Sequence, residues 1–174
     1  MFDIFAMAEG TTYPEDSVDI YTDNDAAYQI AKLDEKINNA YRYSLTAEEQ
    51  NKLETDRANL KAKLDETRVT VHMQGLPERK LNQIRKEQDA KYGEDLFPDA
   101  RKEEWQNRLI QAHLRKAVNA KGEEQDLKDQ DVDKVAVWYM QLPKESQNRL
   151  DRLVMDLTLK AGYFENAEIT TDFS

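Results

Sequence analysis

The 174-residue chain offers few side chains of the kinds that perform catalytic or metal chemistry. Its two histidines are His72 and His113, and neither has a Glu or His at the spacing of a helical metal site. The pattern around them places His72 on the polar face of a strand and His113 near the apolar stripe of a helix. Both are therefore predicted to be structural. Because the chain has no cysteine, disulfides and thiolate metal sites are excluded.

The segment DQDVDK at residues 129–134 resembles the opening of a calcium loop. The position that needs glycine is Lys134, however, and the twelfth position is Met140 rather than Glu. Capping of a helix by Asp131 is the better interpretation. The four serines include no G-x-S-x-G pattern, and the five glycines are too scattered to form a phosphate-binding loop. We predict no catalytic residue, no cofactor and no metal site.

Composition indicates a protein of long helices with charged ends. Apolar residues make up 39% and charged residues 34% of the chain, with only five glycines and four prolines. Seven of the acidic residues that give the net charge of −10 lie in residues 1–25, and three more lie in residues 162–174, neither segment having a basic residue. Solvated acidic ends argue against nucleic-acid binding. No apolar run long enough for a membrane span and no signal peptide is recognisable, so we expect a soluble protein inside a cell.

Two helices are predicted in the first third of the chain, over about 26–42 and 47–66. The second begins with a capping box, Thr46 followed by Glu49. The link between the helices is short, so they are expected to form an antiparallel hairpin that another part of the protein, or another copy, must cover. The seam of this hairpin is formed by Ile30, Leu33, Ile37, Tyr41, Leu53, Leu60 and Leu64.

A strand with one apolar face is predicted at residues 69–74, VTVHMQ, because apolar and polar residues alternate there. A lone strand leaves its backbone groups unpaired, so a partner strand is needed. The candidates are SVDIYT at 17–22, AEITTDF at 167–173, or a strand from a neighbouring subunit.

Four helices are predicted to follow, over about 77–92, 98–118, 131–142 and 144–161. Their expected buried residues are Leu81, Ile84, Tyr92, Trp105, Leu109, Ala112, Ala117, Val132, Val135, Ala136, Tyr139, Met140, Leu150, Leu153, Val154, Leu157 and Ala161. Gly162 lies where a glycine often ends a helix.

The predicted fold class is mainly α: a helical bundle with a small β element and an N-terminal antiparallel helical hairpin. The predicted organisation is an acidic arm (1–25), the hairpin (26–67), a helical core domain with one short strand (68–162) and an acidic tail (163–174).

One phrase occurs twice, 66 positions apart. MQGLPERKLNQI at 73–84 and MQLPKESQNRL at 140–150 share Leu-Pro, four variable residues, Asn, one residue and then Ile or Leu. Proline is well tolerated at the start of a helix, where its missing N–H costs nothing. We therefore interpret the phrase as a structural joint: the leucine anchors in the core, the proline starts a helix in a new direction, and Ile84 or Leu150 makes the next core contact.

The order of several segments in the C-terminal part of the chain resembles that of a known protein family. VTVHMQGLPERKLNQI, a Trp-containing helix EEWQNRLIQAHL, a helix ending YMQLPKESQNRLDRLV, and a tail closing TTDFS follow one another over residues 69–174. This arrangement resembles the tail assembly chaperones of long-tailed bacteriophages. The resemblance implies a non-enzymatic role in the host cytoplasm, where such proteins keep the helical tape measure protein soluble while tail tube subunits polymerise around it. It implies no membrane and no nucleic-acid partner.

A chaperone of this kind would cover apolar helical stripes of its partner by helix-in-groove packing. Two surfaces are candidates, the hairpin seam and the face around the first tryptophan, although burial in the protein's own core is the stronger interpretation for each of these residues. The candidate partner-binding residues are Ile30, Leu33, Ile37, Leu53, Leu60, Trp105 and Leu109.

Two other classes of function fit the sequence. A structural tail or connector component of the virion would self-associate, as a homo-oligomer, through the hairpin and a strand edge, and would persist in purified particles. A small acidic inhibitor of a host enzyme would lose its activity when residues 1–25 are deleted.

Overall fold

The structure, a computed structural model, describes residues 12–93 and 98–161. Helices make up 64% of these residues, so the prediction of a mainly α protein with a small β element is confirmed. The elements are β1 (Glu15–Tyr21), α1 (Asn24–Asn38), α2 (Ala47–Glu66), β2 (Arg68–Gln74), α3 (Glu78–Tyr92), α4 (Pro98–His113), β3 (Leu114–Asn119), β4 (Glu124–Asp126), α5 (Val132–Gln141) and α6 (Lys144–Ala161). Several predicted features lie outside the described residues: the first eleven residues, the side chain of Ala161, Gly162 and the tail at 163–174.

The four strands form one antiparallel sheet in the order β1-β2-β3-β4. The partner sought for β2 is thus SVDIYT, whose Val18 and Ile20 pair with Val71 and Val69. Of the apolar face predicted for β2, Val71 and Met73 are buried and Val69 is half-buried against the core. The second edge of β2 pairs with β3, a strand that the sequence did not indicate.

The helix predicted over 98–118 ends at His113, and that prediction was wrong for its last five residues. Leu114–Asn119 is a strand, so Ala117 lies opposite Val71 in the sheet and not on a helical stripe. Helical propensity is a weak preference that tertiary pairing overrides. If residues 114–118 were helical, the N–H and C=O groups along one edge of β2 would have no strand to pair with.

The core lies between the sheet and the helices α4, α5 and α6. The stripe predicted on α6 is buried as expected: Leu150, Leu153, Val154 and Leu157 are between 0% and 6% exposed. On α5, Val135 and Tyr139 are buried, but Met140 is 65% exposed, against the prediction. Val135 and Tyr139 are one turn apart and occupy the single buried side of this ten-residue helix, whereas Met140 follows about 100° further round.

The repeated phrase forms a structural joint at both places. Leu76 and Leu142 are 4% and 6% exposed, and helices α3 and α6 begin directly after Pro77 and Pro143. Ile84 and Leu150, two turns into these helices, are buried at 5% and 0%. The interpretation of the phrase as a joint is therefore confirmed.

The second joint also closes one edge of the sheet. The hydroxyl of Ser146, 1% exposed, accepts a hydrogen bond from the Tyr21 N–H and donates one to the Tyr21 C=O, both at 3.0 Å. Beside it, the Arg149 guanidinium donates to the Asp19 C=O at 3.4 Å. The two side chains thus form hydrogen bonds with backbone groups on the outer edge of β1. An additional β-strand could otherwise pair with these groups.

Replacement of Ser146 by alanine is expected to lower the free energy of unfolding by about 1–2 kcal/mol, because the Tyr21 N–H and C=O both lose their hydrogen bond to the Ser146 hydroxyl. Ser17→Ala, at an exposed position of the same strand pair, is the control and should change stability by less than about 0.5 kcal/mol. Urea denaturation followed by tryptophan fluorescence measures both. Equal effects of the two substitutions would contradict this role of Ser146.

Helices α1 and α2 pack on each other and make only sparse contacts with other elements. Asp23 caps α1, and the capping box of Thr46 and Glu49 at the start of α2 is present as predicted. An ion pair between Asp34 and Arg57 joins the two helices. None of the 20 residues of α2 is buried.

Candidate partner-binding surfaces

An apolar groove runs between α4 and α6, with a volume of about 380 Å³. The two helices run in parallel, because Gln106 contacts Asp151 near the middle of both helices and His113 contacts Thr158 seven residues further along each of them. The apolar side chains that line the groove are Trp105, Leu109 and Ile110 from α4 and Val154, Met155 and Leu159 from α6. Lys102, Gln106, Asp151 and Thr158 complete the lining.

The α6 wall of the groove carries two large apolar side chains that are more than half exposed. Met155 is 60% and Leu159 is 53% exposed, while Trp105 and Leu109 opposite them are half-buried. The positions 151, 155, 158 and 159 recur at helical spacing, so they form a second stripe beside the buried one. The apolar surface of α6 is thus wider than the part of the helix that packs in the core.

A polar network at the groove's lining ties three helices together. The Tyr139 hydroxyl of α5 donates to the Asp151 carboxylate of α6 at 2.8 Å, and the Gln106 amide of α4 donates to Asp151 at 2.6 Å and to the Tyr139 oxygen at 2.9 Å. Burial and the neighbouring Asp151 carboxylate raise the pKa of Tyr139. The phenol is therefore neutral at physiological pH and acts as a donor that holds the groove's helices in place.

His113 lies at the far end of the groove, where α4 passes directly into β3, and is fully buried. Its Nδ1 is 2.7 Å from the Leu109 carbonyl oxygen, so this nitrogen carries the proton and donates it. Its Nε2 is 3.4 Å from the Thr158 hydroxyl oxygen. Burial lowers the pKa of His113, which keeps the ring neutral.

The other predicted surface, the hairpin seam, is half-buried except at Tyr41. Tyr41 is 99% exposed, against the prediction, because α1 ends at Asn38 and not at residue 42. Its candidate residues are all half-buried between α1 and α2, namely Ile30, Leu33, Ile37, Leu53 and Leu60. The sequence thus placed candidates on both surfaces, but it missed Met155 and Leu159. Their signal was present, since both continue the i, i+4 spacing from Asp151 next to the core stripe.

In residues 12–93 and 98–161 no three His, Asp or Glu side chains are grouped as metal ligands. Asp131 caps α5 by accepting from the N–H groups of Asp133 and Lys134, as the sequence suggested. No helix in this part of the chain has the length and apolar character needed to cross a membrane. Comparison with protein families, with curated proteins and with solved structures finds no match to this chain.

Proposed function

We propose that this protein is a non-enzymatic assembly chaperone that holds an amphipathic helix of its partner in the groove between α4 and α6. The observation that carries the proposal is the pair Met155 and Leu159, more than half exposed and facing Trp105 and Leu109 across a common groove. Apolar side chains that are exposed together in one groove are typical of protein-binding sites, whereas apolar residues exposed singly are not. Methionine suits such a site, because its flexible side chain adapts to different partner residues.

The order and spacing of segments over residues 69–174 support the more specific proposal of a phage tail assembly chaperone. Its partners would be the tape measure protein and the tail tube subunits, met in the host cytoplasm. A tape measure protein presents long amphipathic helices, and a groove between two parallel helices accepts one such helix through side chains at i, i+3, i+4 and i+7.

The test is affinity capture of the tagged protein from cells that express the genes of its phage, followed by identification of the captured proteins by mass spectrometry. Met155→Asp places a charge in the groove and is expected to reduce capture at least tenfold. Met140→Asp is the matched control, because Met140 is similarly exposed at 65% but does not line the groove, and it should capture normally.

The same groove can be observed directly through Trp105. With Trp138 replaced by phenylalanine, Trp105 is the remaining tryptophan, and its emission should shift to shorter wavelength when a helix of the tape measure protein covers it. Capture of only the protein itself or of mature particle proteins would contradict the proposal, and capture of a host enzyme instead would support the inhibitor alternative.

A structural tail component that self-associates is the second candidate. The observation that favours it is the packing of α1 on α2, which we interpret as the antiparallel hairpin, with its half-buried seam and no buried residue in α2. Two copies could cover each other's seams and bury these leucines more fully. The two functions differ in one result: a structural component is present in purified particles, whereas a chaperone is not.

A further inference from the structure

One side of the α1–α2 pair combines exposed lysines with seam leucines. A notch of about 530 Å³ lies on this side. We call it the lysine-rimmed face, and it is formed by Gln29, Lys32, Leu33, Lys36, Asp56, Asn59, Leu60 and Lys63. It is separate from the groove between α4 and α6, with which it shares no residue.

Helical spacing explains how the face forms. Lys32 and Lys36 are one turn apart on α1, and Asn59 and Lys63 are one turn apart on α2. Between these two rows lie the half-buried leucines of the seam. The face is therefore an apolar strip with a polar rim on each side.

The rim is basic, although the chain as a whole carries a net charge of −10. Three lysines face one aspartate, a formal charge of +2. Among the described residues none of Lys32, Lys36 and Lys63 has a carboxylate within ion-pair distance, while elsewhere on the pair Arg57 is matched by Asp34. The Lys32 ammonium lies 4.6 Å from the centre of the Tyr28 ring, itself 59% exposed. All three lysines are exposed, so a partner can reach them.

We infer that the lysine-rimmed face binds an acidic amphipathic helix of a partner protein. Leucines of the partner would cover Leu33 and Leu60, and its glutamates or aspartates would reach the lysines on both sides, as at the flanking positions of a coiled coil. A second copy of this face is disfavoured as the occupant, because two surfaces of charge +2 repel each other. The net charge of the chain likewise opposes a nucleic acid.

The test uses two synthetic helical peptides of about three heptads, identical in their leucine stripe and flanked either by glutamates or by lysines. Fluorescence anisotropy measures their binding to the full chain at low salt. The glutamate peptide is expected to bind at least tenfold more tightly than the lysine peptide, and the difference should shrink as salt screens the charges.

Variants locate the binding. The triple substitution Lys32→Gln, Lys36→Gln and Lys63→Gln should weaken the glutamate peptide at least tenfold, as should Leu60→Ser. The triple substitution Lys86→Gln, Lys121→Gln and Lys134→Gln changes the net charge equally at exposed sites off the face and should leave binding unchanged. Met155→Asp, which alters only the other groove, should also leave it unchanged, so the two proposals fail independently.

Four results would overturn the inference. Equal affinity for the two peptides would show that charge does not select the partner. Retained binding in the Lys32, Lys36 and Lys63 variant would place the site elsewhere. Sedimentation showing a dimer that Leu60→Ser dissociates and the glutamate peptide does not displace would make a second copy the occupant. Tight binding of a single-stranded oligonucleotide that the lysine variant abolishes would assign the face to nucleic acid.

Discussion

Leu150→Ala is expected to lower the free energy of unfolding by about 2–5 kcal/mol, the largest effect of any single substitution considered for this protein. Leu150 is fully buried, and it belongs to the cluster in which α6 packs against the sheet and α4. Truncation to alanine removes its contacts and leaves a cavity, because neighbouring side chains such as Leu114 and Leu157 are themselves fully enclosed. Urea denaturation followed by tryptophan fluorescence reports on this part of the molecule.

The same helix supplies the control. Leu159→Ala makes the same chemical change at a position that is 53% exposed in the groove, so its cost should stay below about 1 kcal/mol. The pair separates the two roles of α6, since Leu150 serves stability and Leu159 is proposed to serve binding. Similar losses of stability in both variants would show that the groove is covered within the protein itself.

Acid is expected to destabilise the protein through His113. Its ring is buried, so its pKa in the folded state lies below the ordinary value of about 6.5, and Arg115 adds a smaller effect in the same direction. As the pH falls below about 6.5, the unfolded chain binds the proton first. The stability present above that pH is therefore lost as the pH falls toward the folded-state pKa, at up to about 1.4 kcal/mol per pH unit.

His113→Gln tests this prediction, because glutamine retains an N–H donor for the Leu109 carbonyl but does not titrate. Unfolding is measured in urea at several pH values from 7.5 to about 5, and the slope of wild type minus variant isolates this one residue. If His113→Gln shows the same pH dependence as the wild type, the buried neutral ring is not its source.

The features that sequence reasoning predicted well are those that depend on nearby atoms. A helix begins where its free N–H groups find an acceptor or need none, so the capping box of Thr46 and Glu49, the cap at Asp131 and the starts after Pro77 and Pro143 could all be predicted from short motifs. The core stripe of α6 follows equally from helical spacing.

The features that only the tertiary structure decided depend on which elements meet. Residues 114–118 have no local reason to leave a helix; they form β3 because β2 offers an unpaired edge. The same holds for exposure. Helical spacing in the sequence places Met155 and Leu159 next to the core stripe of α6. Their exposure, however, depends on the packing of α4 beside α6, because no other described element covers the groove between these helices. The sequence alone therefore determined where most helices begin and where Pro77 and Pro143 join them to the preceding elements. Long-range packing determined the strand pairing of the sheet and formed the candidate binding groove.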